Sequence, residues 1–253
     1  MAYSEFQKRI FEKYSIKTHK ETSDITIISI IRSIVQGINE KGDITFKILD
    51  IGCGGGQLLD SFSRIPQIEV YGVDISEKAL KMAIKKGYKA FLCDVETEKL
   101  PFNDNFFNIV VINDLLEHII NPDNLLRQVH RVLKNRSKLI ISVPNVSCPA
   151  SWFAQIFLDL PPMHSARYKS VHVRDYTLRI LRSILKLHGF RLRQVKGTYI
   201  YPFDNTVGRF LANLFPRLSE RFILICEKGI ILDLNLDDVY FDIRELLRIS
   251  EKL

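Results

Sequence analysis

The stretch ILDIGCGGGQLLD, from Ile48 to Asp60, holds Gly52, Gly54, Gly55 and Gly56 within five residues. A turn of that composition lets a ligand approach bare backbone, and two ligand chemistries compete for it. A pyrophosphate calls for G-x-G-x-x-G at the start of a helix, whereas the spacing here is G-x-G-x-G. The charges separate the two. Asp50, Asp74, Asp94 and Asp114 each stand at or beside the end of an apolar run, and no Lys or Arg lies between Ile48 and Ser63. Two phosphates are repelled by such a lining. A ligand with a sulfonium and an ammonium group against one carboxylate, about +1 overall, is attracted by it. Taken singly, each aspartate reads equally well as a helix cap or turn residue.

The elements that must position these residues alternate along the chain. FKILDI, IEVYGVD, KAFLCD, FNIVVIN and KLIISV are short, continuous apolar runs that predict buried strands. Between them lie helical patterns. Ile27, Ile28, Ile31, Ile34, Val35 and Ile38 mark a helix over 24–40, and Leu58, Leu59 and Phe62 another. Ser76 is a good N-cap for a helix that ends before Gly87, and Asn121–Pro122 opens a further one. The regularity loosens from Asn145 to Asp175. It resumes with a helix over 176–188, a strand FRLRQVKG, a helix around 207–218 and a strand RFILICEK. The pattern predicts an α/β fold: a doubly wound, mostly parallel seven-stranded sheet with helices on both faces and ligands at the carboxyl ends of its strands. A single domain over 1–253 is expected, with a helical cap at 1–40 and a lid-like insert at 145–175.

ILDIGCGGG, VYGVDIS, FLCDVETEKLPF, FNIVVINDLLEHI and LLRQVHRVLKNRSKLIISVPN resemble the successive motifs of class I S-adenosylmethionine-dependent methyltransferases of the small-molecule and lipid type. The resemblance is close over 46–145 and looser in HVRDYT and LKLHGFRL. It implies a Rossmann-like methyltransferase fold and S-adenosylmethionine as cofactor. Carried over by position, Asp50, Gly52 and Gly54 form the loop against the methionine part of the cofactor. Asp74 accepts from the ribose hydroxyls, and Ile75 lies against the adenine. Asp94 takes the adenine amino group with Val95 beside it, and Asn113 offers backbone to the ammonium. Asp114, Glu117 and His118 fall near the substrate side.

A sulfonium is already an activated donor, so a general base is needed only for an acceptor that arrives protonated. His118, His164 and His172 are the candidates, with a structural role the alternative for His118. Arg174 and Tyr168 are candidates for binding an anionic or polar head. No metal ligand is expected. The D/N-P-P-Y/F signature of nucleic-acid amino-methyltransferases is missing, its place taken by NDLLEH, and Cys148 lacks the partner motif of a cytosine-C5 mechanism. Trp152, Phe153, Ile156, Phe157 and Leu160 recur at helical spacing in the insert. They read as a lid helix packed on the sheet end, or as an apolar surface for a lipid acceptor or a peripheral membrane contact.

The net charge of +7 is concentrated in 164–196, where nine Lys or Arg stand against Asp175 alone. An anionic partner suits that segment, as does a plain solvated face. Residues for base stacking within it are sparse (Tyr168, Tyr176, Phe190), which weighs against nucleic acid. Cys53, Cys93, Cys148 and Cys226 are scattered without C-x-x-C spacing and read as reduced thiols in a cytoplasmic protein. The expected function is methyl transfer to a small-molecule or lipid acceptor, at oxygen. The alternative is RNA binding or RNA methylation through 164–196. Oligomeric state stays open.

Overall fold

The computed structural model describes residues 22–39, 45–160, 172–203 and 205–230. Seven strands form one sheet: β1 (Phe46–Ile51), β2 (Ile68–Asp74), β3 (Lys89–Leu92), β4 (Phe107–Asn113), β5 (Leu133–Pro144), β6 (Phe190–Gly197) and β7 (Arg221–Lys228). Their order is β3-β2-β1-β4-β5-β7-β6. The pairings among β1 to β5 are parallel, while β7 runs antiparallel to both β5 and β6. Among the described residues, seven helices of regular α form accompany it: α1 (Thr22–Asn39), α2 (Gln57–Phe62), α3 (Glu77–Lys85), α4 (Pro122–Val132), α5 (Pro149–Phe157), α6 (Leu178–Leu187) and α7 (Thr206–Leu214).

The apolar strands are buried on both faces, and successive residues of one strand serve opposite cores. Ile109 and Val111 of β4 join Ile27, Ile31 and Phe62 on the α1–α2 side. Val110 and Ile112 join Leu125, Val129 and Leu181 on the α4–α6 side. Each fully buried Leu, Ile or Val side chain contributes about 1.5–3 kcal/mol. The helix ends follow their capping residues. Ser76 Oγ accepts from the Ala79 N–H at 3.2 Å, and Asn121 Oδ1 accepts from the Asp123 N–H at 3.1 Å, with Pro122 in the first turn. Two boundaries differ from the sequence expectation. β5 begins at Leu133, immediately after α4, because Phe107 pairs with Leu133 before the register shifts. The expected helix over 207–218 breaks into α7 and a 3-10 turn at Pro216–Leu218.

At the site end, β2 and the glycine turn are pressed together. A Cβ on Gly72 would lie 2.6 Å from Cys53 Sγ and 2.9 Å from Cys53 Cβ. Cys53 is buried within the turn, so the backbone has to move to make room. Gly72→Ala is therefore expected to lower stability by about 1–3 kcal/mol, the usual cost of overpacking, read by thermal unfolding. An unchanged unfolding midpoint would refute the close packing of turn on strand.

Candidate active site

The residues between β1 and α2 turn sharply, with Gly52, Gly54 and Gly56 at φ of 79°, 52° and 83°, where a side chain is strained. Gly52 is exposed, and Leu115 packs beside it, 3.2 Å from where a Cβ would stand. Asp74, at the end of β2, braces this turn. Its Oδ2 accepts from the Gly54 N–H at 2.8 Å and its Oδ1 from the Ser76 N–H at 2.7 Å. A carboxylate offers about four lone-pair sites, so these bonds leave capacity for a ligand. Ile75 beside it is half-buried.

Three carboxylates gather here, and they are not the set expected. Burial pushes the Asp50 carboxyl well above the ordinary carboxylate value, with Asp24 and then Asp74 adding repulsion. Asp74 is also raised by burial, opposed by hydrogen bonds from the Ser76, Gly54 and Ile75 backbone. Asp24, from the first turn of α1, was legible in the sequence only as a helix cap. It is fixed by Asn113, whose Nδ2 donates to its Oδ1 at 2.9 Å. The other two strand-end acids make contacts of their own. Asp94 Oδ1 accepts from the Glu96 N–H at 3.0 Å. Asp114, at φ 48°, is ion-paired with Arg221 and accepts from Ser142 Oγ at 2.9 Å. Asp24 thus joins Asp50 and Asp74 in the acidic lining, and Asp114 is neutralised by its ion pair. Val95 is buried in the main core cluster.

A buried acidic group of this kind around an exposed glycine backbone fits a ligand with a sulfonium and an ammonium group, and repels a pyrophosphate. The match to a known family decides the matter: residues 49–141 match the model described as a methyltransferase domain. Over those residues the chain has the sequence of a methyltransferase domain. It is 34% identical over 136 residues to an uncharacterised protein of Methanocaldococcus jannaschii, covering 53% of this chain and 60% of that one. It is 35% identical over 104 residues to the ubiquinone/menaquinone biosynthesis C-methyltransferase UbiE of Burkholderia cenocepacia, covering 38% of this chain and 42% of the relative. The chain therefore spans less than two thirds of either. In fold it is similar to an S-adenosylmethionine-dependent methyltransferase of Thermotoga maritima, with a TM-score of 0.58 and 15% identity over 88% of this chain and 99% of that one.

Just beyond the end of β4, His118 meets His172, their ring centroids 4.8 Å apart. His164 and Tyr168 lie outside the described residues. Arg174 is exposed, and its Nε donates to the Ile120 carbonyl at 2.7 Å. The insert departs from the packed lid. In α5 only Ser151 and Ala154 are buried, while Trp152, Phe153, Ile156 and Phe157 are 56–70% exposed. Trp152 also lines a groove of about 1060 Å³ that runs past Arg179, Arg182, Lys186, Arg191 and Arg217. Part of the basic segment is therefore a groove wall, although Arg193 turns away to pair with Glu227 at 2.9 Å.

The cysteines are placed as buried structural thiols. All four are buried, and burial raises the Cys148 thiol, which hydrogen-bonds to Ser151 Oγ at 3.2 Å. Cys93 and Cys226 are pushed up to about 12. A thiol so held is not the thiolate that a cytosine-C5 mechanism needs. Among the described residues, no helix is long and apolar enough to cross a membrane.

Proposed function

We propose that this protein transfers a methyl group from S-adenosylmethionine to the oxygen of an amphiphilic acceptor, lipid or small molecule, with an apolar body and an anionic head. Asp50 and Asp74 would hold the cofactor against the Gly52–Gly54 backbone, with Ile75 against the adenine and Asn113 near the ammonium. The cofactor supplies a methyl already activated on a sulfonium. The protein's part is to align donor and acceptor, and alignment contributes about 7–11 kcal/mol in favourable cases. His118 or His172 would take the proton of an acceptor hydroxyl.

The observation that carries the acceptor class is the outward-facing apolar side of α5, joined through Trp152 to a groove with five basic side chains. An apolar tail suits the first and an anionic head the second. The test is incubation of purified protein with methyl-labelled cofactor and a cell extract, followed by separation into lipid, metabolite and RNA fractions. Label is expected in the lipid or amphiphile fraction and is expected to be released by hydroiodic acid, as an O-methyl group is. Label in the RNA fraction would overturn the reading in favour of the basic segment acting on nucleic acid. Label resistant to the acid would refute transfer to oxygen and place the methyl on carbon, nitrogen or sulfur.

A further inference from the structure

Glu117, His118 and His172 meet at the carboxyl end of β4, although His172 lies far along the chain from the other two. One carboxylate oxygen and one nitrogen from each imidazole all lie within 4.8 Å of one another. Glu117 is 2% exposed and both histidines are half-buried. The meeting is built by the backbone. The Val173 and Arg174 N–H groups both donate to the Glu117 carbonyl, at 2.9 and 3.1 Å. Arg174 Nε donates to the Ile120 carbonyl at 2.7 Å, and the Tyr176 hydroxyl to the Leu116 carbonyl at 3.4 Å. These four bonds strap the segment after His172 onto the 3-10 turn Leu116–His118 without using either imidazole. Leu115, next to this turn, packs on Gly52, so the cluster adjoins the cofactor loop on its acceptor side.

We propose that Glu117, His118 and His172 hold a divalent transition-metal ion of the Zn²⁺, Mn²⁺ or Co²⁺ type, whose open positions receive an oxygen of the methyl acceptor. Two neutral imidazoles and one carboxylate are the donor set such ions prefer over Ca²⁺ or Mg²⁺. Three protein ligands leave coordination positions free for a substrate. Ligand distances of about 2.0–2.2 Å are reached from the observed spacing by side-chain shifts of under about 1 Å each. Asp114 does not complete the set, because Arg221 and Ser142 hold its carboxylate. An acceptor hydroxyl placed on the ion loses its proton to water more readily than in solution, which adds to, or replaces, a histidine base. The acceptor's part rests on the methyl-transfer reading; the ion's binding does not.

The test titrates the chelator-treated full chain with Mn²⁺, following free ion by electron paramagnetic resonance, and with Co²⁺, following its visible bands. One ion per chain is expected, with Co²⁺ bands characteristic of nitrogen ligation. His118→Ala and His172→Ala are each expected to weaken Mn²⁺ binding at least about tenfold, since losing even an outer partner of a metal ligand costs 10–100-fold. S-adenosylhomocysteine binding by the same variants is expected to stay within about twofold of wild type. Absence of stoichiometric Mn²⁺ and Co²⁺ binding in the wild-type protein would overturn the proposal, and so would a His118→Ala/His172→Ala variant that binds Mn²⁺ as tightly as wild type. Wild-type protein that binds Mn²⁺ but not S-adenosylhomocysteine upholds the metal site and refutes the cofactor reading instead.

Discussion

Asp74→Ala is expected to weaken S-adenosylhomocysteine binding by about 1.5–3 kcal/mol, the range for a charged hydrogen-bond partner, or about tenfold to 150-fold in dissociation constant. Two losses combine. The ligand loses a carboxylate acceptor, and the Gly54 and Ser76 N–H groups lose the oxygens that hold them at 2.8 and 2.7 Å. The second loss loosens the glycine turn itself, so the thermal unfolding midpoint falls as well. Asp74→Asn keeps one acceptor oxygen and is expected to fall between the two. Titration calorimetry checks both variants. Unchanged affinity in Asp74→Ala would remove this residue from the cofactor site.

Asp50→Asn is expected to act in opposite directions on stability and binding. The folded-state carboxyl of Asp50 is raised by burial and by its acidic neighbours Asp24 and Asp74. A raised group favours folding while protonated. That contribution is complete below the ordinary carboxylate range and is lost as pH rises through the elevated folded value. Above the ordinary carboxylate range the wild-type protein without cofactor therefore bears the cost of keeping this carboxyl buried, whichever form it holds, and the asparagine variant unfolds at higher temperature. A shift of about 1 kcal/mol corresponds to about 2–4 °C for a chain of this size. A cationic ligand stabilises the ionised carboxylate, so its binding expels a proton, and wild-type affinity rises with pH over the same window. The variant loses that attraction. It is expected to bind S-adenosylmethionine at least about tenfold more weakly, about 1.4 kcal/mol, and to lose less for the uncharged-sulfur product. Melting curves and calorimetry in buffers of different ionisation enthalpy measure both effects. A variant that melts no higher than wild type and binds both ligands equally well would refute the acidic-pocket account.

The glycine turn, its flanking strands and the helix caps were legible because each is a local pattern. Backbone that must adopt positive φ selects glycine, a strand buried on both faces selects a continuous apolar run, and the exposed N–H groups of a helix start select Ser76 or Asn121. The reversal of β7 was less so. RFILICEK is equally apolar whichever way it runs, and only its pairing with β5 and β6 assigns a direction. The insert was misread toward a packed lid for a related reason. Helical spacing of Trp152, Phe153, Ile156 and Phe157 states that these side chains share a face, and not what that face meets.

By itself the sequence determined an alternating α/β sheet, a turn of bare backbone after the first strand, and aspartates beside it that select a cationic cofactor over a dinucleotide. Those properties follow from residues within one or two elements of each other. Tertiary structure alone decided which charges remain in the pocket and what stands opposite it. Asp114 is cancelled by Arg221 and Asp24 is brought in from α1 through Asn113, while His172 is strapped against Glu117 and His118 by hydrogen bonds of the backbone. Each of these is a contact between segments far apart in the chain, made between peptide groups or single side chains. Such contacts leave no period and no spacing in the sequence, because the geometry that creates them is that of the folded sheet.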